Sequence, residues 1–100
     1  MLVAFSISPT ATDENGSVAE AVAAAVRVVR DSGLPYELNS MFTNVEGEWD
    51  EVMAVVKRAV DVVAASSPRV GLVLKADIRP GFEGQLTAKV ERVQQALADS

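Results

Sequence analysis

The 100-residue chain contains neither cysteine nor histidine. Without cysteine there is no disulfide, no thiolate metal site and no cysteine nucleophile. Without histidine the commonest metal ligand is missing, as are Ser-His-Asp catalysis and the side chain that ordinarily titrates near neutrality. Aromatic residues are scarce, with one Trp, one Tyr and three Phe, so the core must be made of Val, Ala, Leu and Ile. Four prolines and six glycines exclude a collagen-like or linker-like chain. Basic charge is also in deficit. Nine Lys/Arg against fourteen Asp/Glu give a net charge of −5, which argues against nucleic acid or anionic lipid as the main partner. No long apolar run is present. Met1 to Ser8 lacks a basic flank and a cleavage site and meets Pro9, and Ala21 to Val26 is soon followed by Arg27 and Arg30. The expectation is a cytoplasmic protein with no membrane segment, and composition points away from a hydrolase or a metalloenzyme.

What is present is a globular pattern, 49% hydrophobic and 23% charged, at a length that suits one domain over residues 1–100. Leu2 to Ser8 alternates, with Val3, Phe5 and Ile7 on one face and Leu2, Ala4, Ser6 and Ser8 on the other, as a strand does. Thr10 to Gly16 reads as a polar loop. Ser17-Val18-Ala19-Glu20 has the form of a capping box. Val18, Val22, Ala25, Val26 and Val29 then make a helical stripe that Gly33 and Pro35 should end. Tyr36 to Leu38 and roughly Met41 to Glu46 form a hairpin turning at Asn39-Ser40. Gly47 opens a second helix with the stripe Trp49, Val52, Met53, Val56, Val60 and Val63, and Glu48, Asp50 and Glu51 in its first turn suit the helix dipole. Val70, Leu72, Leu74, Ala76 and Ile78 alternate with Gly71, Val73, Lys75, Asp77 and Arg79 in a further strand. Leu86, Val90, Val93 and Leu97 mark a last amphipathic helix. The order β-α-β-β-α-β plus a helix is the ferredoxin-like α+β pattern, a four-stranded antiparallel sheet with two helices on one face. Its other face, carrying Leu2, Ala4 and Val73, should pack against a partner or the C-terminal helix.

Chemistry concentrates between Met41 and Met53, where carboxylates, aromatics and a hydroxyl surround a strand-to-helix junction. One reading is a polar pocket in which a carboxylate meets a cationic ligand and Trp49 offers a π-face. The other, favoured for Glu48, Asp50 and Glu51, is that the helix dipole accounts for those carboxylates and Trp49 fits a core position. Glu46 is different, since it precedes the helix at a strand end where neither dipole nor periodicity calls for it. Ser6 and Ser8 are hydroxyls on the less apolar strand face, and Thr10 and Thr12 follow in the loop. Lys75, Asp77 and Arg79 suit a salt-bridged surface or a symmetric interface better than catalysis. No phosphate loop, dinucleotide fingerprint or metal-ligand spacing occurs.

Three blocks carry a family resemblance: Ser6-Ile7-Ser8-Pro9, then Ser32-Gly33-Leu34-Pro35-Tyr36-Glu37-Leu38, then Met41-x-Thr43-x-Val45-Glu46-Gly47-Glu48-Trp49-Asp50-Glu51-Val52. Together with Arg69-Val70 and Lys75-x-Asp77-x-Arg79, they resemble the thiamine-binding protein family of small ferredoxin-like proteins over almost the whole chain. The resemblance implies binding of thiamine or a related aminopyrimidine without a reaction or a catalytic cofactor. It also implies self-association through the sheet as a dimer or tetramer. By position it places ligand-associated polar residues at Ser8, Thr43 and Glu46, with Ser6 and Thr10 as secondary candidates. The chain departs from the family at Thr10-Ala11-Thr12-Asp13, where Gly-Thr-Gly is frequent, and at Phe42, where glycine is frequent. The rival expectations are an interaction protein, a symmetric oligomer whose pocket Phe42 fills, and a cofactor-free oxygenase left with Tyr36, Lys75 and carboxylates for proton transfer.

Overall fold

The computed structural model describes residues 1–9 and 18–100. Thr10, Thr12 and the Ser17 cap lie outside the described residues. Seven elements follow in order: β1 (Leu2–Pro9), α1 (Ala19–Asp31), β2 (Tyr36–Leu38), β3 (Thr43–Glu46), α2 (Trp49–Ala64), β4 (Val70–Asp77) and α3 (Gln85–Ala98). The strands form one sheet in the order β2-β3-β1-β4, with every neighbouring pair antiparallel. This is the ferredoxin-like topology with an added C-terminal helix.

Each helix boundary follows from local chemistry. α1 is alanine-rich, and alanine loses least on becoming helical. It ends where Gly33 takes a left-handed conformation, φ +79°, with the Ser32 N–H donating back to Val28 O and Val29 O at 3.2 Å each. α2 starts with a Glu48/Glu51 capping box, in which the Glu48 N–H donates to Glu51 Oε1 at 3.3 Å. The β2–β3 hairpin is set by Asn39, whose Oδ1 accepts the N–H groups of Met41 (3.0 Å) and Phe42 (2.9 Å). That loop takes up Met41 and Phe42, so β3 begins at Thr43 rather than Met41.

Register sorts the side chains. Val3 faces Val45 and Ala76, and Phe5 faces Thr43 and Leu74, so these residues share the face beneath α1 and α2. Val3, Phe5, Ile7 and Val45 pack there against Ala25 and Val29 of α1 and Val52, Val55, Val56, Ala59 and Val63 of α2. Val3, Val29, Val45, Val52 and Val63 are fully enclosed, each contributing on the order of 1.5–3 kcal/mol through burial. Several positions of the expected apolar stripes are exposed, Val18, Trp49, Leu72 and Ile78 among them. Trp49 is 53% exposed, because it stands one turn ahead of Val52, the first α2 residue to reach the core. Ile78 lies beyond the end of β4 and is exposed as well.

The opposite sheet face carries Leu2, Ala4, Ser6, Ser8, Asn44, Glu46, Val73, Lys75 and Asp77. α3 reaches only one corner of it, at Glu46 and Asp77. The helix forms as its periodicity requires, yet it contains no buried residue, and Val90, Val93 and Leu97 are 49%, 60% and 67% exposed. The molecule is elongated, with extents of 49 × 31 × 20 Å and a radius of gyration of 15.1 Å, against about 13 Å for a compact chain of this length. No helix among the described residues is long and apolar enough to cross a membrane.

Candidate functional site

β1 is eight residues long and β3 only four. Pairing between them runs from Leu2↔Glu46 to Phe5↔Thr43, so the stretch Ser6 to Pro9 has no strand beside it on that edge. A cleft of about 320 Å³ occupies the gap, bounded by the end of β1, the hairpin loop and α1. Ser6, Ser8, Asn39, Ser40, Phe42 and Thr43 line it, with Val22 and Val26 as an apolar wall. Thr43 points to the helix side of the sheet and Ser6 and Ser8 to the open side. They meet because the sheet stops between them. Thr43 is buried, Ser6 half-buried and Ser8 exposed, so the hydroxyls run from the floor to the mouth. A hydroxyl both donates and accepts, and an unpaired strand edge offers further N–H and C=O groups. Such a surface matches a flat heterocycle with alternating donors and acceptors. Among the described residues the cleft has no carboxylate in its lining. Phe42 is among its lining residues.

Glu46 is elsewhere. Three residues along β3 from Thr43, about 10 Å away, it lies on the opposite face of the sheet. Its side chain is buried, at 8% exposure. Oε2 accepts the Gln85 N–H at 2.9 Å and Oε1 accepts the Leu86 N–H at 3.1 Å. The carboxylate therefore serves the free N–H groups at the start of α3, which is preceded by Gly84 in a left-handed conformation, φ +69°. This is a physical reason for a strand-end glutamate that local sequence does not supply. Of the five expected site residues, the structure brings together Ser6, Ser8 and Thr43 and sets Glu46 apart, while Thr10 lies outside the described residues.

A second and larger cleft, about 730 Å³, lies beyond Glu46 between the start of α2 and the β4–α3 loop. Trp49 and Phe82 are two of its walls, and the Arg79 guanidinium sits 3.5 Å from the Phe82 ring centroid. Phe82 escaped the sequence reading because nothing in its local pattern distinguishes a cleft wall from a loop residue. The charged trio of the last strand is divided in the same region. Asp77 pairs with Lys89 of α3, whose hydrogen bond and charge hold the Asp77 carboxyl below its ordinary range. Lys75 stays exposed on the open face opposite Ala4.

The topology and the hydroxyl-lined cleft define a small ferredoxin-like α+β protein with a pocket of small-molecule size. The chain belongs to the thiamine-binding protein family, whose sequence profile matches residues 3–94. A UPF0045 protein of Mycobacterium bovis is 53% identical over 98 residues, which cover 97% of this chain and 94% of that protein. Another, of Methanothermobacter thermautotrophicus, is 39% identical over 83 residues, covering 81% and 84%. A solved structure of a hypothetical protein from Methanocaldococcus jannascii matches with a TM-score of 0.84 at 30% identity, covering 93% of this chain and 94% of that one. A Thermotoga maritima protein, assigned by name to thiamine biosynthesis or salvage, shares the fold at a TM-score of 0.74 and 24% identity over 90% and 96%. The family is named for binding, not for a reaction.

Proposed function

We propose that the protein binds thiamine or a related aminopyrimidine, without transforming it, in the cleft at the free end of β1. The observation that carries this reading is the convergence of Ser6, Ser8 and Thr43 beside the Phe42 ring in a space of about 320 Å³, within the range of small-molecule sites. The aminopyrimidine ring stacks against Phe42, and its amino group and ring nitrogens exchange hydrogen bonds with the hydroxyls and the strand edge. Glu46 fixes α3 in this reading and leaves the ligand to its neighbours. The family name and the Thermotoga relative's assignment to thiamine biosynthesis or salvage support the ligand class. The open space beside Phe42 favours a binder over an interaction protein with a filled pocket.

The same protein self-associates, as a dimer or tetramer, through its open sheet face. The support is α3, whose apolar stripe lies in water in the single chain, a state that favours burial against another surface.

Thermal unfolding with thiamine, thiamine phosphates and the free aminopyrimidine tests the ligand. Ligand at 100 times its dissociation constant adds about 2.7 kcal/mol. Thr43→Val and Ser8→Ala should each weaken binding by about 1 kcal/mol, the scale of one hydrogen bond. Folded protein that shows no shift with any of the three ligands sinks the reading.

A further inference from the structure

Recognition in the cleft at the free end of β1 depends on which of its polar side chains have a fixed sense. Ser6, Ser8, Ser40 and Thr43 line it with hydroxyls, and a hydroxyl turns to donate or to accept as its partner requires. Hydroxyls alone therefore hold a heterocycle without telling it from one whose donors and acceptors are exchanged. Asn39, in the same lining, differs. Its Oδ1 accepts the N–H groups of Met41 at 3.0 Å and Phe42 at 2.9 Å, and its own backbone N–H donates to Phe42 O at 2.9 Å. The reversed amide would set its NH2 group against two N–H donors. The side chain thus has one orientation, with the oxygen spent inside the turn and Nδ2 left as a donor. Asn39 is exposed, so that donor stands at the rim of the cleft.

We propose, on the reading of the cleft given above, that Asn39 is a specificity-determining residue of that site, its Nδ2 donating to an unprotonated ring nitrogen of the ligand. An aminopyrimidine presents such a nitrogen beside its amino group. The corresponding pyrimidinone, with a carbonyl in place of the amine, carries a hydrogen on that nitrogen and meets Nδ2 donor to donor. The hydrogen bonds that orient Asn39 also fix the backbone of Phe42, so one turn places both the stacking surface and the donor. Exposure grades the discrimination. A buried polar group left unpaired rejects the wrong ligand by orders of magnitude. At an exposed rim water satisfies it, and about tenfold is expected, the scale of one hydrogen bond.

Isothermal titration of the full chain with the free hydroxymethyl aminopyrimidine, and with its pyrimidinone counterpart, tests this role. Both ligands are uncharged near neutral pH, so hydrogen-bond sense alone separates them. The native chain should bind the amine about tenfold more tightly. Asn39→Asp keeps an oxygen for the Met41 and Phe42 N–H groups and replaces the Nδ2 donor with an acceptor. Its melting temperature and its amide exchange at Met41 and Phe42 should stay native, while its preference should reverse toward the pyrimidinone. A residue that only held the turn would leave the preference as it was. Equal native affinity for the two ligands overturns the role of Asn39 and leaves the cleft as a binding site. So does a folded Asn39→Asp chain that keeps the native order or loses both ligands alike. A native chain that binds neither ligand strikes the cleft itself, and the role of Asn39 with it.

Discussion

At the scale of single residues, the decisive interactions are those in which one side chain or one dihedral answers a backbone demand. Gly33 is the simplest. Its φ of +79° suits glycine, and a Cβ built there meets nothing within 4 Å, so Gly33→Ala changes backbone strain and no packing. The cost should be about 1 kcal/mol, which lowers the melting temperature by roughly 4–8 °C in a domain of this size. Glu46 is the more informative case. Replacing it with Gln keeps the shape but substitutes a neutral amide for the carboxylate that accepts from Gln85 and Leu86. Charge-assisted bonds of this kind contribute on the order of 1.5–3 kcal/mol each before relaxation. Amide exchange at Gln85 and Leu86 should accelerate in Glu46→Gln, while thiamine affinity stays within about twofold, since less than one hydrogen bond is at stake. A large loss of affinity with unchanged exchange would place the ligand on Glu46 instead. The sequence marks Glu46 as unusual because no local rule explains it. The reason lies 39 and 40 residues further along the chain, where a stretch-by-stretch reading does not reach. Ser6, Ser8 and Thr43 are legible as polar residues on strands, but their meeting depends on β3 beginning opposite Phe5, a matter of register and loop length.

At the scale of elements, periodicity reveals which face is apolar, and packing decides what covers it. The strands and the two packed helices are legible because Val3, Phe5, Ile7 and Val45 alternate and Val52, Val56 and Val63 recur at helical spacing. Trp49 fits the same spacing and is still exposed, since periodicity fixes a side of a helix and not how far along it the second layer extends. α3 shows this most strongly: its stripe is present and uncovered. Its attachment to the sheet is polar, made by Glu46 and by the Asp77–Lys89 ion pair. Lys89 lowers the Asp77 carboxyl, with Arg79 and Lys75 adding to the effect. A carboxyl lowered by folding contributes stability above its unfolded-state value and loses it as pH falls through the folded one. The tether should therefore be intact at neutral pH and released only in acid, below the ordinary aspartate range. Amide protection across Lys89 and its neighbours, followed by NMR as pH falls, should drop in that window in the native chain. Asp77→Asn should remove this pH-dependent component. Persistence of the same step in the variant would assign it to another carboxylate.

At the scale of the whole molecule, the elongated shape and the arrangement of apolar surface carry the same argument. Leu86, Val90, Val93 and Leu97 recur at four, three and four residues, the spacing of a coiled-coil seam, and the last three are exposed. Val73 on the open sheet face is 59% exposed. A helix of 14 residues is marginal by itself in water, and polar contacts within its first two turns do not hold its far end. Burying the seam against a second copy would supply the missing tertiary contact. Placing a charge in that seam should cost several kcal/mol in the assembly and almost nothing in the free chain, where the site faces water. Val93→Glu should thus sediment as a smaller species than the native protein at equal concentration, with the melting temperature of the separated chain little changed. An unaltered sedimentation coefficient would exclude α3 from the interface. A native protein that sediments as a monomer would remove self-association itself and leave the stripe without a partner. The Ser8–Thr43 cleft and the Trp49–Phe82 cleft lie at opposite ends of the β1–β3 pairing. Thiamine titrations on the Val93→Glu chain would therefore show whether the first is complete within one subunit. Binding that survives dissociation makes it so, and binding lost with the oligomer means that the second copy supplies part of the wall.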